Sequence, residues 1–412
     1  MNYRGNVYPF RQDSSFRYFA AHNRPDLVLT VDAADGRSRL YGDDPSLDDI
    51  VWMGEQPSLA DLAAEIGAGV GGALADLPAA LAGRAVHYLP PYREERRRRL
   101  RDWVGHADRP SRPLTEAVIA LRSVKSAAEL AEMDRAVATS LRMHAAAREL
   151  AAPGLTEHEV AGLVEGIAIR AGGRLSYPAI VTRNGHILHN HYHGNRLAAG
   201  DLLLIDAGAE APSGYAGDLT RTFAVGQPLT TRQREVYELV DRARSEAVAA
   251  LRPGVTYRSL HDAAYRRLAT GLTELGLMRG DPAEATAAGA PALFMPHGLG
   301  HMIGLDVHDM EDLGEDLVGY DTTVTRSSAF GTRSLRLGKA LRPGYALTVE
   351  PGCYFIPALI DRWAAEGHHA DFIDYSALAA YRDFGGIRLE DNYAITAGGS
   401  RLLGSAADQG RS

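Results

Sequence analysis

Two kinds of hydrophobic pattern divide the chain. Up to about residue 108 the apolar positions come in short runs between turn signals: Leu27-Val28-Leu29-Thr30-Val31, then Asp35-Gly36, then Leu40-Tyr41. Runs of that length bounded by Asp-Gly read as strands. The Ala- and Leu-rich stretch from Leu59 to Leu81 reads as helix, with Gly67–Gly72 as an interruption; no strand precedes those glycines as a phosphate-binding turn would require. Arg93 to Arg101 (REERRRRLR) is the most basic segment, and reads as a solvated helix face partly neutralised by Glu94 and Glu95. Arg109-Pro110-Ser111-Arg112-Pro113 has two prolines and no apolar residue, which marks a boundary. The expected domains are therefore 1–112, a small α/β unit, and 113–412.

Past the boundary the pattern repeats. Ala152-Pro153-Gly154-Leu155-Thr156 and Arg252-Pro253-Gly254-Val255-Thr256 share Pro-Gly-aliphatic-Thr, each between two long Ala/Arg/Glu-rich helical patterns. Thr156 and Thr256 are placed as N-caps of the second helix of each pair. Downstream, Gly200-Asp201-Leu202-Leu203-Leu204-Ile205-Asp206 matches Gly344-Tyr345-Ala346-Leu347-Thr348-Val349-Glu350, and both end in a turn. Two copies of helix–helix–sheet predict a pseudo-twofold α+β domain in which each half donates a carboxylate from the equivalent strand.

Composition adds limits. At 412 residues the chain fits two or three domains, and 45% apolar with 23% charged residues is ordinary globular composition. A net charge of −8 argues against a generally basic nucleic-acid binder. One cysteine, Cys353, leaves no intrachain disulfide and no cysteine zinc knuckle. The first residues carry charges and no apolar core of a leader, and no run of eighteen apolar residues predicts a membrane span, so cytoplasmic residence is expected.

The acids carry the candidate chemistry. In a strand, Leu202, Leu204 and Asp206 share one face and Leu203 and Ile205 the other, so both faces are apolar and the carboxylate is buried with them. A buried carboxylate needs a partner or a cation. Glu350 stands in the same position, Asp218 opens the strand Asp218–Val225, and Glu390 closes Gly386–Leu389. Four such acids on pseudo-equivalent strands repel one another unless a cation sits among them. Thr220 shares a face with Asp218 and is expected to orient it. Pro296-His297-Gly298-Leu299-Gly300-His301 places two histidines four apart in glycine-rich, irregular backbone, and His308 follows. His186, His189, His191 and His193 form a second group, read as an adventitious metal site or, in preference, as the source of one catalytic histidine.

Taken in order, Leu204-Ile205-Asp206-Ala207-Gly208, Gly217-Asp218-Leu219-Thr220-Arg221-Thr222, His297-Gly298-Leu299-Gly300-His301, Thr348-Val349-Glu350-Pro351-Gly352 and Ile387-Arg388-Leu389-Glu390-Asp391 resemble the proline-specific metallopeptidases of the pita-bread fold. The resemblance covers about Leu121 to Thr396, and Tyr8–Ser14 resembles the start of that group's non-catalytic first domain. It implies Asp206, Asp218, His301, Glu350 and Glu390 as ligands of two divalent cations about 3.5–4 Å apart, bridged by Asp218 and Glu390. Oxygen-rich ligation with one imidazole suits manganese first, with cobalt or zinc as alternatives. Glu350 is also implied as general base. His189, His297 and His308 are implied as the histidines that hold the substrate and steady its tetrahedral intermediate. A homodimer is expected from the same resemblance. Creatinases share the fold but lack the full acidic set. A metal-free binding module has no reason to keep several buried carboxylates together.

Within the group, a dipeptidase reads a terminal carboxylate where an aminopeptidase meets an amide. The insertion between His308 and Glu350 contains Phe330-Gly331-Thr332-Arg333-Ser334-Leu335-Arg336, which resembles the prolidase segment that binds the proline carboxylate, with Arg336 as the arginine. An Arg–carboxylate bond contributes about 1.5–3 kcal/mol. Aminopeptidases of the group usually have a short link here, so the expected activity is Xaa-Pro dipeptidase (prolidase), with Xaa-Pro aminopeptidase as the alternative. A phosphotriester side activity fits the same two-metal chemistry. One departure stands out: Asp206 and Asp218 are twelve apart rather than eleven, with Ala211-Pro212 where the family has tyrosine. The extra residue is expected to bulge out, with His191 or His193 substituting for the tyrosine.

Overall fold

The computed structural model describes residues 8–404; the leader expectation falls partly on residues 1–7, outside that range. The chain divides into two compact units, Met1–Ala120 and Leu121–Ser412. Among the described residues no helix is long and apolar enough to cross a membrane.

The first unit carries β1 (Val28–Val31), β2 (Ser38–Tyr41) and β3 (Gly69–Gly72), in the order β1-β2-β3. β1 pairs antiparallel to β2, and β3 lies parallel to β2 after a helical crossover, as expected for a small α/β unit. Leu27, Leu40, Leu59, Leu62 and Ala63 form its core. The helical stretch expected from Leu59 to Leu81 breaks at the glycines, as expected, and the break holds a strand: the helix stops at Glu65, Gly69–Gly72 forms β3, and helix resumes at Leu77. Gly67, at φ +66, turns the chain out of the helix. A Cβ on Gly71 would lie 2.5 Å from the Tyr41 ring, so the glycines allow a backbone approach that any side chain would block. Arg93 to Arg101 falls on the helix Glu94–Val104, which buries no residue; Arg99 pairs with Asp26 and Glu95, and Arg96 with Asp13.

The second unit repeats one plan. Its strands are β4 (Arg174–Leu175), β5 (Ile180–Arg183), β6 (Leu202–Asp206), β7 (Ala209–Glu210), β8 (Thr220–Ala224), β9 (Ala346–Val349), β10 (Gly352–Tyr354), β11 (Gly386–Arg388), β12 (Asp391–Ile395) and β13 (Ser400–Leu402). The helices Ala127–Leu150 and Glu157–Arg170 accompany the antiparallel sheet β5-β6-β8. The helices Thr231–Ala249 and Tyr257–Glu274 accompany β9-β12-β13. The two Pro-Gly turns are equivalent bond for bond. Gly154 N–H donates to Leu197 O and Leu197 N–H to Leu155 O; Gly254 N–H donates to Leu341 O and Leu341 N–H to Val255 O. Thr156 caps its helix through Glu159, whose carboxylate accepts from the Thr156 N–H at 2.8 Å. Thr256 accepts the Ser259 N–H at 3.3 Å.

β6 is buried along its whole length, as its two apolar faces require. Leu203 and Ile205 pack with Met143, Val160 and Val164 from the first helix pair. Leu202 packs with Val236 and Leu239 of the second. This strand therefore runs between two apolar layers and delivers Asp206 at its end.

Candidate metal centre

Five strand ends and loops converge in the second unit. Asp206 ends β6, Asp218 precedes β8, Glu350 follows β9, and Glu390 lies between β11 and β12. An isolated bridge joins Thr220 to Glu390, which ties the two sheets at this point. His301 comes from irregular backbone, as its flanking glycines predict. A Cβ on Gly300 would collide with Thr348 O and the Tyr257 hydroxyl.

Asp218, His301 and Glu390 are all buried, and each has a possible ligand atom within 4.8 Å of the others. His301 Nε2 lies 3.4 Å from Asp218 Oδ2 and 3.5 Å from Glu350 Oε1. The Tyr177 hydroxyl lies 2.5 Å from Asp206 Oδ1 and from Asp218 Oδ1, and so joins Asp206 to the group. His301 Nδ1 sits 3.0 Å from Met302 O. A carbonyl only accepts, so that proton is on Nδ1, and Nε2 is free to face a cation. Thr348 bonds both His301 N–H, at 3.1 Å, and Glu350 Oε1, at 3.3 Å.

The electrostatics are those of crowded acid. Burial, then the charges of Asp218, Glu350 and Asp206, push Glu390 well above the carboxylate range. Burial first, and Asp218 and Asp206 after it, push Glu350 up to about 7 against the opposing charges of His301 and Arg388. Asp206 is raised by burial and by Asp218, with Arg388 opposing. Burial works against the charged form of Asp218 as well, but the hydrogen bond and charge of His301 leave it lowered. His301 loses to burial and gains more from Asp218 and Glu350, rising to about 9. Glu390 Oε1 is buried with no hydrogen-bond partner, while Oε2 accepts from Thr220 at 2.7 Å. A buried acceptor left open among acids is what a divalent cation requires, and the oxygen-rich donor set with one imidazole fits such an ion.

The other predicted residues surround this group in different ways. The His308 ring stacks on His301, centroids 3.8 Å apart at 13°, and its Nδ1 lies 3.0 Å from Glu311 Oε1. His297 bonds Gly298 O through Nδ1 and the Tyr354 hydroxyl through Nε2 at 3.0 Å. Burial, then Arg388, pushes its pKa down to about 3, so the ring is neutral. His189 is exposed, though enough surrounding protein remains to lower its pKa, with Arg388 adding to the effect. Arg336 bonds Glu311 and Glu315. His193 Nε2 lies 3.1 Å from Ala179 O.

One expectation is corrected. Thr220 orients Glu390, because the Thr220–Glu390 bridge brings their side chains together; Asp218 is held by Asn392 instead. The Asn392 amide accepts from Asp218 N–H at 2.9 Å and donates to Asp218 O at 2.6 Å. The extra residue between Asp206 and Asp218 loops out, as expected. Ala211 N–H bonds Tyr215 O, and the hairpin loop 212–214 absorbs the residue, with Gly214 at φ +95. The hydroxyl next to both aspartates comes from Tyr177.

Tyr177, Thr348, Tyr354, Arg388 and Asn392 were missed. Arg388 Nη2 reaches Asp206 Oδ2 at 2.5 Å and its Nη1 reaches the Tyr354 hydroxyl at 2.9 Å. A sequence signal for three of them exists: Thr348, Arg388 and Asn392 stand two residues from Glu350 or Glu390, on the same side of an extended chain. Tyr177 carries no such signal.

Residues 131–397 match the model of metallopeptidase family M24, and residues 1–87 match the aminopeptidase P N-terminal domain. The chain belongs to metallopeptidase family M24. The Xaa-Pro aminopeptidase of Escherichia coli is 33% identical over 430 residues, covering 96% of this chain and 86% of that protein. The human Xaa-Pro dipeptidase is 29% identical over 409 residues, covering 96% and 81%. The solved structure of proline aminopeptidase P II from Yersinia pestis superposes with a TM-score of 0.80 at 29% identity, covering 98% of this chain and 89% of that one. Aminopeptidase PepP of Pseudomonas aeruginosa gives 0.80 at 29%, covering 98% and 88%. The M24 chain thus has the pita-bread catalytic fold behind an aminopeptidase-P-type first domain, and a buried Asp/His/Glu group able to hold metal.

Proposed function

We propose that this M24 peptidase is an Xaa-Pro dipeptidase. The observation that carries the reading is Arg336, tied through Glu311 to His308 and so to the ring stacked on His301. Asp206, Asp218, His301, Glu350 and Glu390 hold two divalent cations, manganese first on grounds of hardness, with cobalt or zinc as alternatives. When bound, the cations supply positive charge for the scissile carbonyl and make water easier to deprotonate. Glu350 accepts that proton and returns it to the leaving proline nitrogen. His297, His308 and His189 line the substrate and steady its tetrahedral intermediate. Arg336 meets the free carboxylate of the proline. By the resemblance of its motifs the enzyme acts as a homodimer.

The second reading, Xaa-Pro aminopeptidase, is favoured by the two solved structures named above, both aminopeptidases P. Manganese-loaded protein tested on Ala-Pro and Ala-Pro-Ala, with an Arg336→Ala variant, separates them. Cleavage of the dipeptide alone, lost about 10-fold or more in the variant, supports the dipeptidase. Tripeptide cleavage at least as fast, indifferent to Arg336, supports the aminopeptidase.

A further inference from the structure

Glu311 begins the short helical turn Glu311–Leu313, three residues past His308. Its two carboxylate oxygens go to different partners. Oε1 accepts from His308 Nδ1 at 3.0 Å and Oε2 from Arg336 Nη1 at 2.6 Å. An ionised carboxylate only accepts, so the His308 proton facing it is on Nδ1. The same Arg336 nitrogen reaches Glu315 Oε2 at 2.9 Å. Arg336 also lines a cavity of about 610 Å3 with Glu315, Arg326, Arg333 and Ser334, and none of the five candidate metal ligands lines it. One carboxylate therefore bridges a guanidinium that borders open space and an imidazole that lies on the metal-binding group.

We propose that Glu311 is a positioning residue that sets the spacing between Arg336 and His308, and so makes the site measure peptide length. The inference rests on the dipeptidase reading. A peptide that ends at proline carries its carboxylate a fixed distance from the scissile bond. Both ends are satisfied together only while the guanidinium and the imidazole keep one separation. Charge-assisted bonds from both oxygens of a single ionised carboxylate hold that separation more stiffly than either contact alone. Without Glu311, Arg336 keeps its ion pair with Glu315 and His308 its stacking on His301, with nothing linking the two. The two groups then move independently.

The test is a cycle of wild type, Glu311→Gln, Arg336→Ala and the double variant, as full-length metal-loaded protein, on Ala-Pro and Ala-Pro-Ala. Glu311→Gln is expected to lower kcat/KM for Ala-Pro about 10- to 100-fold, mainly in KM, and to cut the preference for Ala-Pro over Ala-Pro-Ala at least about 10-fold. In the Arg336→Ala background the same change is expected to cost less than about 3-fold, because the two residues act as a unit. Metal content and Tm stay at wild-type values. Glu311→Asp keeps the charge but is one methylene shorter, and is expected to lose the preference as well. Additive effects, equal losses on both peptides, or a loss that follows metal content or Tm overturn the proposal. Failure of the dipeptidase reading shows in the wild type alone, as equal turnover of both peptides, and removes the length-measuring role with it. Failure of the Glu311 role shows only in the variants, with the wild-type preference intact.

Discussion

Replacing Glu390 by glutamine separates the cost of the acidic cluster from the gain its cations bring. Glu390 is 2% exposed, its Oε2 accepts from Thr220, and its Oε1 is buried with no partner, near the acids Asp218, Glu350 and Asp206. Glutamine keeps the shape and removes the charge. Glutamine relieves the repulsion among Glu390, Asp218, Glu350 and Asp206. The metal-free variant is therefore expected to melt at or above the wild-type temperature. A cation binding only the folded state adds about 2.7 kcal/mol at a hundredfold excess over Kd. At about 2–4 °C per kcal/mol for a large unit, manganese should raise the wild-type Tm by about 5–11 °C. In Glu390→Gln the loss of a charged oxygen donor should cut that rise by more than half. Calorimetric melts in EDTA and across a manganese titration measure both quantities. A variant destabilised equally in EDTA and in manganese would refute the reasoning, as would a wild type whose Tm ignores manganese.

Two other perturbations test the surroundings of the site. Asp309 is 1% exposed and bonds Arg122 at 2.7 Å and Lys125 at 2.8 Å, anchoring the loop that carries His308. Asp309→Asn leaves those buried cations short of an acid and should cost about 3–5 kcal/mol in urea unfolding; a loss below about 1 kcal/mol would contradict this account. His261 is buried with neither ring nitrogen hydrogen-bonded, and burial first, then Arg258, pushes its pKa down to about 3. It is neutral in the folded protein, while an unfolded imidazole charges near pH 6.5. Its contribution to stability is complete above pH 6.5 and is lost as pH falls toward 3, at up to about 1.4 kcal/mol per pH unit. His261→Phe should flatten stability between pH 6.5 and 4 in urea titrations, and parallel slopes would show that His261 does not titrate as described.

The repeated Pro-Gly-aliphatic-Thr turns were legible because a turn is local: Gly154 and Gly254 adopt φ +96 and +86, and each threonine begins its helix. The buried strand Leu202–Asp206 was legible because apolar residues on both faces leave no solvent side. The break inside Leu59–Leu81 was legible in its glycines, but the strand that fills it was not, because the glycines form a strand only when Tyr41 of a neighbouring strand lies against them. Helix periodicity carries no record of a partner strand.

The candidate site divides along the same line. Sequence alone set which residue types carry the chemistry and on which strands they stand, since periods of two and the glycine-flanked histidines are properties of the local chain. Only the tertiary structure decided who holds them: Tyr177 between Asp206 and Asp218, Asn392 on the Asp218 backbone, Thr220 on Glu390, and Glu311 between His308 and Arg336. These contacts join residues brought together by the pairing of sheets and by loop packing. Hydrogen bonds need atoms within about 3 Å, and for residues far apart in the chain that distance exists only after folding.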